Sequence, residues 1–196
     1  IYQRPGNYTA TVQVVDEGLQ TKTTTVSVRV LQADNVAPSA APGGPYILEV
    51  GENLELNGAS SDGNLACGDS VTTSWDLTGN GQFNDANGDR PTINWNQLVN
   101  LPREEPNRIF VRAIDESGAT SDVGETTLTI YPAEPVAAGS ANPSPAACQQ
   151  AVTFNGRASA HPNPQRTIAR YEWNLDGNPS FDREGAEVSF TYNRFG

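Results

Sequence analysis

Two stretches of this 196-residue chain are nearly the same: SWDLTGNGQFND at Ser74–Asp85 and EWNLDGNPSFD at Glu172–Asp182. Trp75 falls on Trp173, Leu77 on Leu175, Gly79 on Gly177 and Phe83 on Phe181, each 98 positions apart. Two explanations compete. Either an acidic, Gly-rich loop is repeated because it binds something, or a whole domain is repeated and carries the loop with it. Two further matches share the period. TVQVVDEG (Thr11–Gly18) matches FVRAIDESG (Phe110–Gly118), with Asp16 on Asp115. ENLELNGASS (Glu52–Ser61) matches QAVTFNGRAS (Gln150–Ser159), with Asn57-Gly58 on Asn155-Gly156. Three independent matches at a spacing of 98 to 99 positions point to a duplicated domain.

The residues between these landmarks alternate with period two. Val71, Thr73, Trp75 and Leu77 share one face of VTTSWDL; Val26, Val28 and Val30 share one face of TTTVSVRVL; Val188, Phe190 and Tyr192 share one face of EVSFTY. Such alternation of β-branched and aromatic residues predicts strands with one buried face, and no window sustains a helical period. Clusters of Gly, Asn and Asp punctuate the strands as turns. The expected fold class is all-β: tandem immunoglobulin-like antiparallel sandwiches, one complete and two partial.

The joints QADNVAPSAAPGGP and PAEPVAAGSANPSPAA are rich in Pro, Ala and Ser. Proline stiffens such segments and removes ladder donors, so they read as extended, semi-rigid connectors. The expected organisation is the C-terminal part of a domain at 1–31 and a linker at 32–45. A complete domain follows at 46–131, then a linker and possible first strand at 132–147, and the N-terminal part of a third domain at 148–196.

Composition excludes several functions. The formal net charge is −11, with one lysine (Lys22), eleven scattered arginines and one histidine, His161. Phosphate backbones and anionic membrane surfaces need clustered cations, so neither nucleic acid nor a lipid surface is an expected partner. No run approaches the length of a spanning helix, so no membrane insertion is expected in this segment. Low lysine with abundant Thr, Ser, Asn and Gly fits a secreted or surface protein. The opening residues IYQRPGNYT read as the middle of a domain. Cys67 and Cys148 lie in different repeats and are not expected to bond to each other.

The order L-x-L-N-G-x-x-S, W-D-L-x-G-N-G and V-R-A-I-D-E-S-G, closing on a Thr-rich strand, resembles the PKD (polycystic kidney disease) domain. The chain departs from that pattern where LTGNG and LDGNP replace the family's F-G-D-G, and where Asn57 and Asn155 replace the usual Asp. The resemblance implies a β-sandwich on a bacterial, archaeal or animal surface, acting as a spacer, in adhesion, in polysaccharide or protein contact, or beside a secreted hydrolase. It implies no catalysis by the domain itself.

The inward positions of Trp75, Trp173, Leu77, Leu175, Phe83 and Phe181 are expected to form the core. Trp95, alternating with Ile93, is read as core rather than as a sugar platform. Asp16 and Asp115 end strands just before glycine-containing turns and are expected to cap them by accepting backbone N–H groups. The loop DLTGNGQFNDANGD offers a calcium alternative, with Asp76, Thr78, Asn80, Asp85 and Asp89 as candidate ligands. Thr and Asn replace two carboxylates, no Glu stands at the twelfth place, and Pro179 breaks the pattern in the second copy. Calcium is therefore a weak candidate there, and no other cofactor is indicated. No paired-carboxylate, nucleophile–base, P-loop or dinucleotide signature occurs, so no enzyme is expected.

Structural repetition makes neighbouring copies or further repeats of the same protein the expected partners, with a fibre, stalk or adhesin the expected setting. The alternative is a polysaccharide- or protein-binding module accessory to a secreted hydrolase. FTYNRFG near the end resembles IYQRPGNYT at the start, with Tyr192, Arg194 and Gly196 placed like Tyr2, Arg4 and Gly6. If the flanking pieces are partial sandwiches, the apolar face of Val12, Val14, Val26 and Val28 needs cover from outside the chain.

Overall fold

The computed structural model describes every residue except 1, 3, 32, 33 and 194–196, so Arg194 and Gly196 lie outside the described residues. The strands are β1 (Gly6–Val15), β2 (Thr21–Val30), β3 (Ser39–Ala41), β4 (Tyr46–Glu49), β5 (Leu54–Glu55), β6 (Ala59–Ser61), β7 (Val71–Asp76), β8 (Ala86–Asn87) and β9 (Thr92–Ile93). A one-turn helix α1 (Trp95–Leu98) precedes β10 (Pro106–Asp115) and β11 (Gly124–Tyr131). Then come β12 (Ser140–Asn142), β13 (Ala151–Asn155), β14 (Glu172–Trp173), β15 (Arg183–Glu184) and β16 (Glu187–Thr191). The fold is all-β and immunoglobulin-like. Its largest sheet has the order β4-β11-β10-β7-β8, and the smaller ladders are β1-β2, β3-β6, β5-β9, β12-β13-β16 and β14-β15.

The chain divides into two compact units. The first comprises Ile1–Tyr46, Asn53–Val99 and Asn107–Leu128; the second comprises Ile47–Glu52, Asn100–Pro106 and Thr129–Gly196. In the first, β10 alternates strictly, burying Ile109, Val111 and Ala113. It pairs antiparallel with β7, Val111 opposite Trp75. Leu54, Leu56, Leu77, Ile93, Leu98 and Leu128 complete that core. The indole of Trp75 is fully buried and donates Nε1–H to the carbonyl of Gly88 at 2.8 Å. Gly58 makes room for it: a Cβ there would lie 2.6 Å from Trp75 Cζ2. That close approach explains the Asn-Gly landmark.

The second unit repeats several of these contacts around its own tryptophan. Trp173 Nε1 donates to Gly185 O at 2.8 Å, and a Cβ at Gly156 would lie 3.1 Å from Trp173 Cζ2. Leu77 N–H meets Asp85 Oδ2, and Leu175 N–H meets Asp182 Oδ2, both at 2.7 Å. Gly58 N–H bonds Asp89 O at 2.9 Å, and Gly156 N–H bonds Ala186 O at 2.8 Å. Val152 and Leu175 are buried, and Phe154 tilts against Trp173 with ring centroids 5.7 Å apart. Trp173 itself is only half-buried. The joints are part of the ladders: Ser39–Ala41 pairs with Ser61–Ala59, and Ser140–Asn142 pairs with Asn155–Thr153.

The core expectations for Phe181, Phe83 and Trp95 need correction, whereas the cysteines are unbonded to each other as expected. Phe181 is 65% exposed rather than buried. Its counterpart Phe83 is half-buried because the Arg112 guanidinium lies 4.5 Å above its ring, and no described residue covers Phe181 in that way. Trp95 does not continue a strand; it opens α1 and is half-buried, because Asn94 and Gln97 form a capping box that turns the chain. Cys67 and Cys148 are both exposed free thiols.

The hairpin β1–β2 is amphipathic. Tyr8, Ala10, Val12 and Val14 stand opposite Val28, Val26, Thr24 and Lys22 on one face, while Thr9, Thr11 and Gln13 stand opposite Ser27, Thr25 and Thr23 on the other. Its apolar face is open: Val12 is 49%, Val14 60% and Val26 56% exposed. The sequence counterparts of Val12 and Val14, Val111 and Ala113, are fully buried.

Truncating a fully buried indole costs about 3–5 kcal/mol through lost transfer energy and the cavity left behind. Trp75→Ala should lower stability by that amount in urea unfolding followed by circular dichroism. Trp173→Ala should cost distinctly less, because part of its ring is already in water.

Candidate functional site

The repeated acidic loop uses its polar atoms on its own backbone. Asp76 is almost wholly buried and accepts N–H bonds from Thr78, Gly79 and Asn80 on Oδ1 (3.1, 2.7 and 3.3 Å) and from Gly81 on Oδ2 (2.7 Å). The Asn80 side chain accepts from Gln82 N–H, and Thr78 Oγ1 lies 3.3 Å from Asp76 Oδ1. Asp85 is held on the N–H of Leu77, and Asp89 on the N–H of Ser60 and the hydroxyl of Thr73. For Asp89, burial pulls the carboxyl up, but the bonds from Thr73 and Ser60 outweigh it and leave its pKa lowered. Of the calcium set Asp76, Thr78, Asn80, Asp85 and Asp89, Thr78 Oγ1 lies 3.3 Å from Asp76 Oδ1 and 3.5 Å from Asp85 Oδ2, while Asp89 is held on Ser60 and Thr73. Each carboxylate faces a backbone donor, because a loop rich in Gly and Asn leaves many N–H groups without ladder partners.

The structure brings a different set together. Asp62 follows β6, Asp69 lies after a single 3-10 turn (Leu65–Cys67), and Asp115 ends β10. One carboxylate oxygen from each lies within 4.8 Å of the other two. Asp115 Oδ1 accepts the N–H of Ala119 at 2.8 Å, and its Oδ2 accepts Asn35 Nδ2 at 2.8 Å. The bond from Asn35 is the main cause that holds the Asp115 carboxyl below its ordinary pKa. Asp69 Oδ1 accepts from Ser70 and Glu116 N–H groups. Asp62 Oδ1 accepts from Asn64 N–H, while its Oδ2 is buried without a partner. Asn64 in turn binds Val36 N–H and Asp34 O, which ties the first joint to the cluster. A cavity of about 480 Å³ beside it is lined by Arg4, Asn35, Cys67, Asp69 and Glu116, among others. Three carboxylates at this spacing offer the oxygen ligands that a hard cation such as calcium takes.

Sequence reading missed this group because its members come from three separate loops. The local signal was present: Asp62 and Asn64 form a side-chain turn, and the second copy forms the same turn with His161 Nδ1 accepting from Asn163 N–H. The imidazole in place of a carboxylate removes an oxygen ligand from that copy. Asp16 Oδ1 accepts the N–H of Gln20 at 2.9 Å, matching the Asp115–Ala119 bond in the other hairpin.

In the second unit the polar focus is Glu49. It is buried, and it accepts Asn163 Nδ2 at 2.7 Å and Arg166 Nε at 2.9 Å. These bonds, that from Arg166 first, hold its carboxyl below the ordinary range. A groove of about 630 Å³ in the same unit is lined by Val136, Ile168, Tyr171, Trp173 and Phe181 together with the charged Arg170 and Glu172, among others.

No family model matches the chain, and no curated protein is significantly similar to it. Solved structures that are similar in part include two of modular β proteins. The fibronectin(III)-like modules of Clostridium thermocellum CbhA share 15% identity over 66% of this chain and 64% of that chain, with a TM-score of 0.36. The N-terminal eight Ig domains of Down Syndrome Cell Adhesion Molecule isoform 1.30.30 share 12% identity over 96% of this chain and 33% of that chain, with a TM-score of 0.42. The chain spans less than two thirds of the length of either structure.

The lowered carboxyls make stability depend on acid. A carboxyl whose folded pKa lies below its unfolded value contributes stability that is fully present above the unfolded value and is lost as pH falls through the folded one. The contributions of Asp115 and Glu49 are thus complete above about pH 5 and fade below about pH 4. The urea midpoint should fall over that range, and Asp115→Asn should flatten the fall.

Proposed function

We propose that the chain is a run of non-catalytic immunoglobulin-like repeats of the PKD type. One repeat is whole at 46–131 and part of one lies on each side. Their role is that of a spacer or assembly segment in an extracellular or cell-surface protein such as a fibre, stalk or adhesin. The observation that carries this reading is the fate of the repeated loop. Asp76, Asp85 and Asp89 are bonded to nearby backbone N–H groups, and Asp182 repeats the bond of Asp85, so what is duplicated is scaffold.

Other features agree. His161, the single histidine, has Nδ1 on Asn163 N–H and Nε2 on Ala133 O, a turn role rather than that of a general base. Within residues 46–131 every aromatic side chain is buried or half-buried, which disfavours a flat sugar-stacking face there. The joints lie in ladders, as a semi-rigid spacer needs. No helix is long and apolar enough to cross a membrane among the described residues. The PKD resemblance and low lysine content favour a secreted bacterial or archaeal protein.

Single-molecule pulling tests the spacer reading. The sandwich at 46–131 should resist and then release roughly 28 nm, the extended length of its residues less the folded span. Extension without a force peak, or retention of the chain on an immobilised polysaccharide, overturns it in favour of the binding-module alternative.

One observation favours a second, ancillary role: the buried, unpartnered Asp62 Oδ2 in the three-carboxylate group. Millimolar calcium should raise the melting temperature of the chain, and Asp62→Asn should remove the increment. Melting unchanged by calcium removes the ion from this reading.

A further inference from the structure

Four Asn-Gly steps occur in the chain: Asn57-Gly58, Asn80-Gly81, Asn87-Gly88 and Asn155-Gly156. Such steps are chemically exposed, because glycine has no side chain to hinder attack of its nitrogen on the preceding amide. We propose that Asn80 is a self-modification site, where the folded loop drives conversion of the asparagine to aspartate or isoaspartate with water as co-reactant and ammonia as product. The reaction needs only the loop after β7, whatever role the repeats serve.

The acceptor of the glycine N–H separates the four steps. Gly58 N–H lies on Asp89 O at 2.9 Å, Gly88 N–H on Thr73 O at 2.8 Å and Gly156 N–H on Ala186 O at 2.8 Å. A peptide carbonyl is too weak a base to take that proton, so these three nitrogens are held without being activated. Gly81 N–H instead lies on a carboxylate, Asp76 Oδ2, at 2.7 Å. That is within the reach of a general base, about 2.6–3.2 Å. The electrophile is prepared as well. Asn80 Oδ1 accepts the N–H of Gln82 at 2.7 Å, which polarises the amide carbonyl and stands ready for the developing oxyanion. Asn155 Oδ1 has a similar donor in Arg157 N–H but no such base, so the carboxylate is the distinguishing group. Asn80 and Gly81 are exposed, and a Cβ at Gly81 would meet nothing within 4 Å, so water has access. Gly58 and Gly156 are pressed on the indoles, where a Cβ would lie 2.6 and 3.1 Å from the rings.

The step balances on these groups. Gly81 N bonds to Asn80 Cγ while its proton passes to Asp76 Oδ2. The tetrahedral carbon then expels the side-chain nitrogen, which takes the proton back from Asp76 and leaves as ammonia. Water opens the resulting succinimide at either carbonyl, giving aspartate or isoaspartate. Asparagine and water are consumed, ammonia is released, and nothing is oxidised or reduced. The second repeat supplies an internal comparison. Asn178 stands at the position of Asn80 and keeps its turn, Oδ1 accepting Ser180 N–H at 2.6 Å. Pro179 follows it, however, and has no N–H to lose. Asn174 stands where Asp76 does and accepts Gly177 N–H at 2.9 Å, as Asp76 accepts Gly79 N–H. The nucleophile and the base are therefore lost together, while the shape of the turn is kept.

The test incubates the full chain in neutral buffer and follows each asparagine by peptide mass spectrometry, with isoaspartate scored by an isoaspartyl methyltransferase. In the folded chain Asn80 should convert at least ~10-fold faster than Asn57, Asn87 and Asn155, the margin a positioned general base supplies. In urea that preference should vanish. Carboxylates are ionised between about pH 6 and 8, so the rate at Asn80 should be nearly flat over that range. Cyclisation driven by hydroxide would instead climb roughly tenfold per pH unit. Asp76→Asn keeps an acceptor for the loop N–H groups and should slow Asn80 at least ~10-fold. Pro179→Gly creates a further Asn-Gly step without a carboxylate at the Asp76 position and should stay slow. Equal rates at the four sites of the folded chain, a tenfold climb per pH unit at Asn80, an unchanged rate in Asp76→Asn, or a rate at Asn178 in Pro179→Gly equal to that of Asn80 overturns the proposal. If circular dichroism shows that Asp76→Asn has lost the fold, the pH profile of the unmodified chain decides.

Discussion

The indole of Trp75, pressed on Gly58 and bonded to the carbonyl of Gly88, sets the geometry of the sandwich around it. One side chain fastens three segments: its own strand, the Asn-Gly turn, and the end of the acidic loop. The loop can close only if its many free N–H groups find acceptors, and Asp76 accepts four of them from a nearly water-free position. Apolar burial holds the tryptophan, and a buried carboxylate satisfies the backbone that the tryptophan draws in.

The same logic separates scaffold from candidate site. A carboxylate that already accepts several backbone donors has few lone pairs and little freedom left for an ion. A carboxylate with a buried, unpartnered oxygen is the opposite case, and Asp62 is such a group. Acidic residues that look alike in sequence thus divide by what their oxygens face. Those in the duplicated loop organise their own turn. Those at the end of β10 and after β6 meet the first joint through Asn35 and Asn64.

A β-sandwich buries its inner faces only when both layers are present. Where the β10–β11 pair lies over the core, its valine, alanine and leucine side chains vanish from solvent. Val12, Val14 and Val26 on β1 and β2 are about half-exposed, Trp173 is half-buried and Phe181 is mostly exposed. The apolar pattern of a strand states that a face must be buried; it does not state by what.

Much of the architecture was legible along the chain because it depends on local order. Period-two alternation marked the strands β2, β7 and β16, and the 98-residue spacing of Trp75 and Trp173 marked equivalent strands whose loops share hydrogen bonds. The Asn-Gly landmark marked the glycine that admits the indole ring. What was not legible depends on residues far apart in sequence. Asp62, Asp69 and Asp115 meet only because β6 and β10 end at the same edge of the fold, and no spacing rule encodes that. Phe83 and Phe181 read alike, yet one is covered by Arg112 and the other by nothing described. Strand identity follows from side-chain period, which is written residue by residue; burial and convergence follow from which strands pair, which is decided only when the chain is folded.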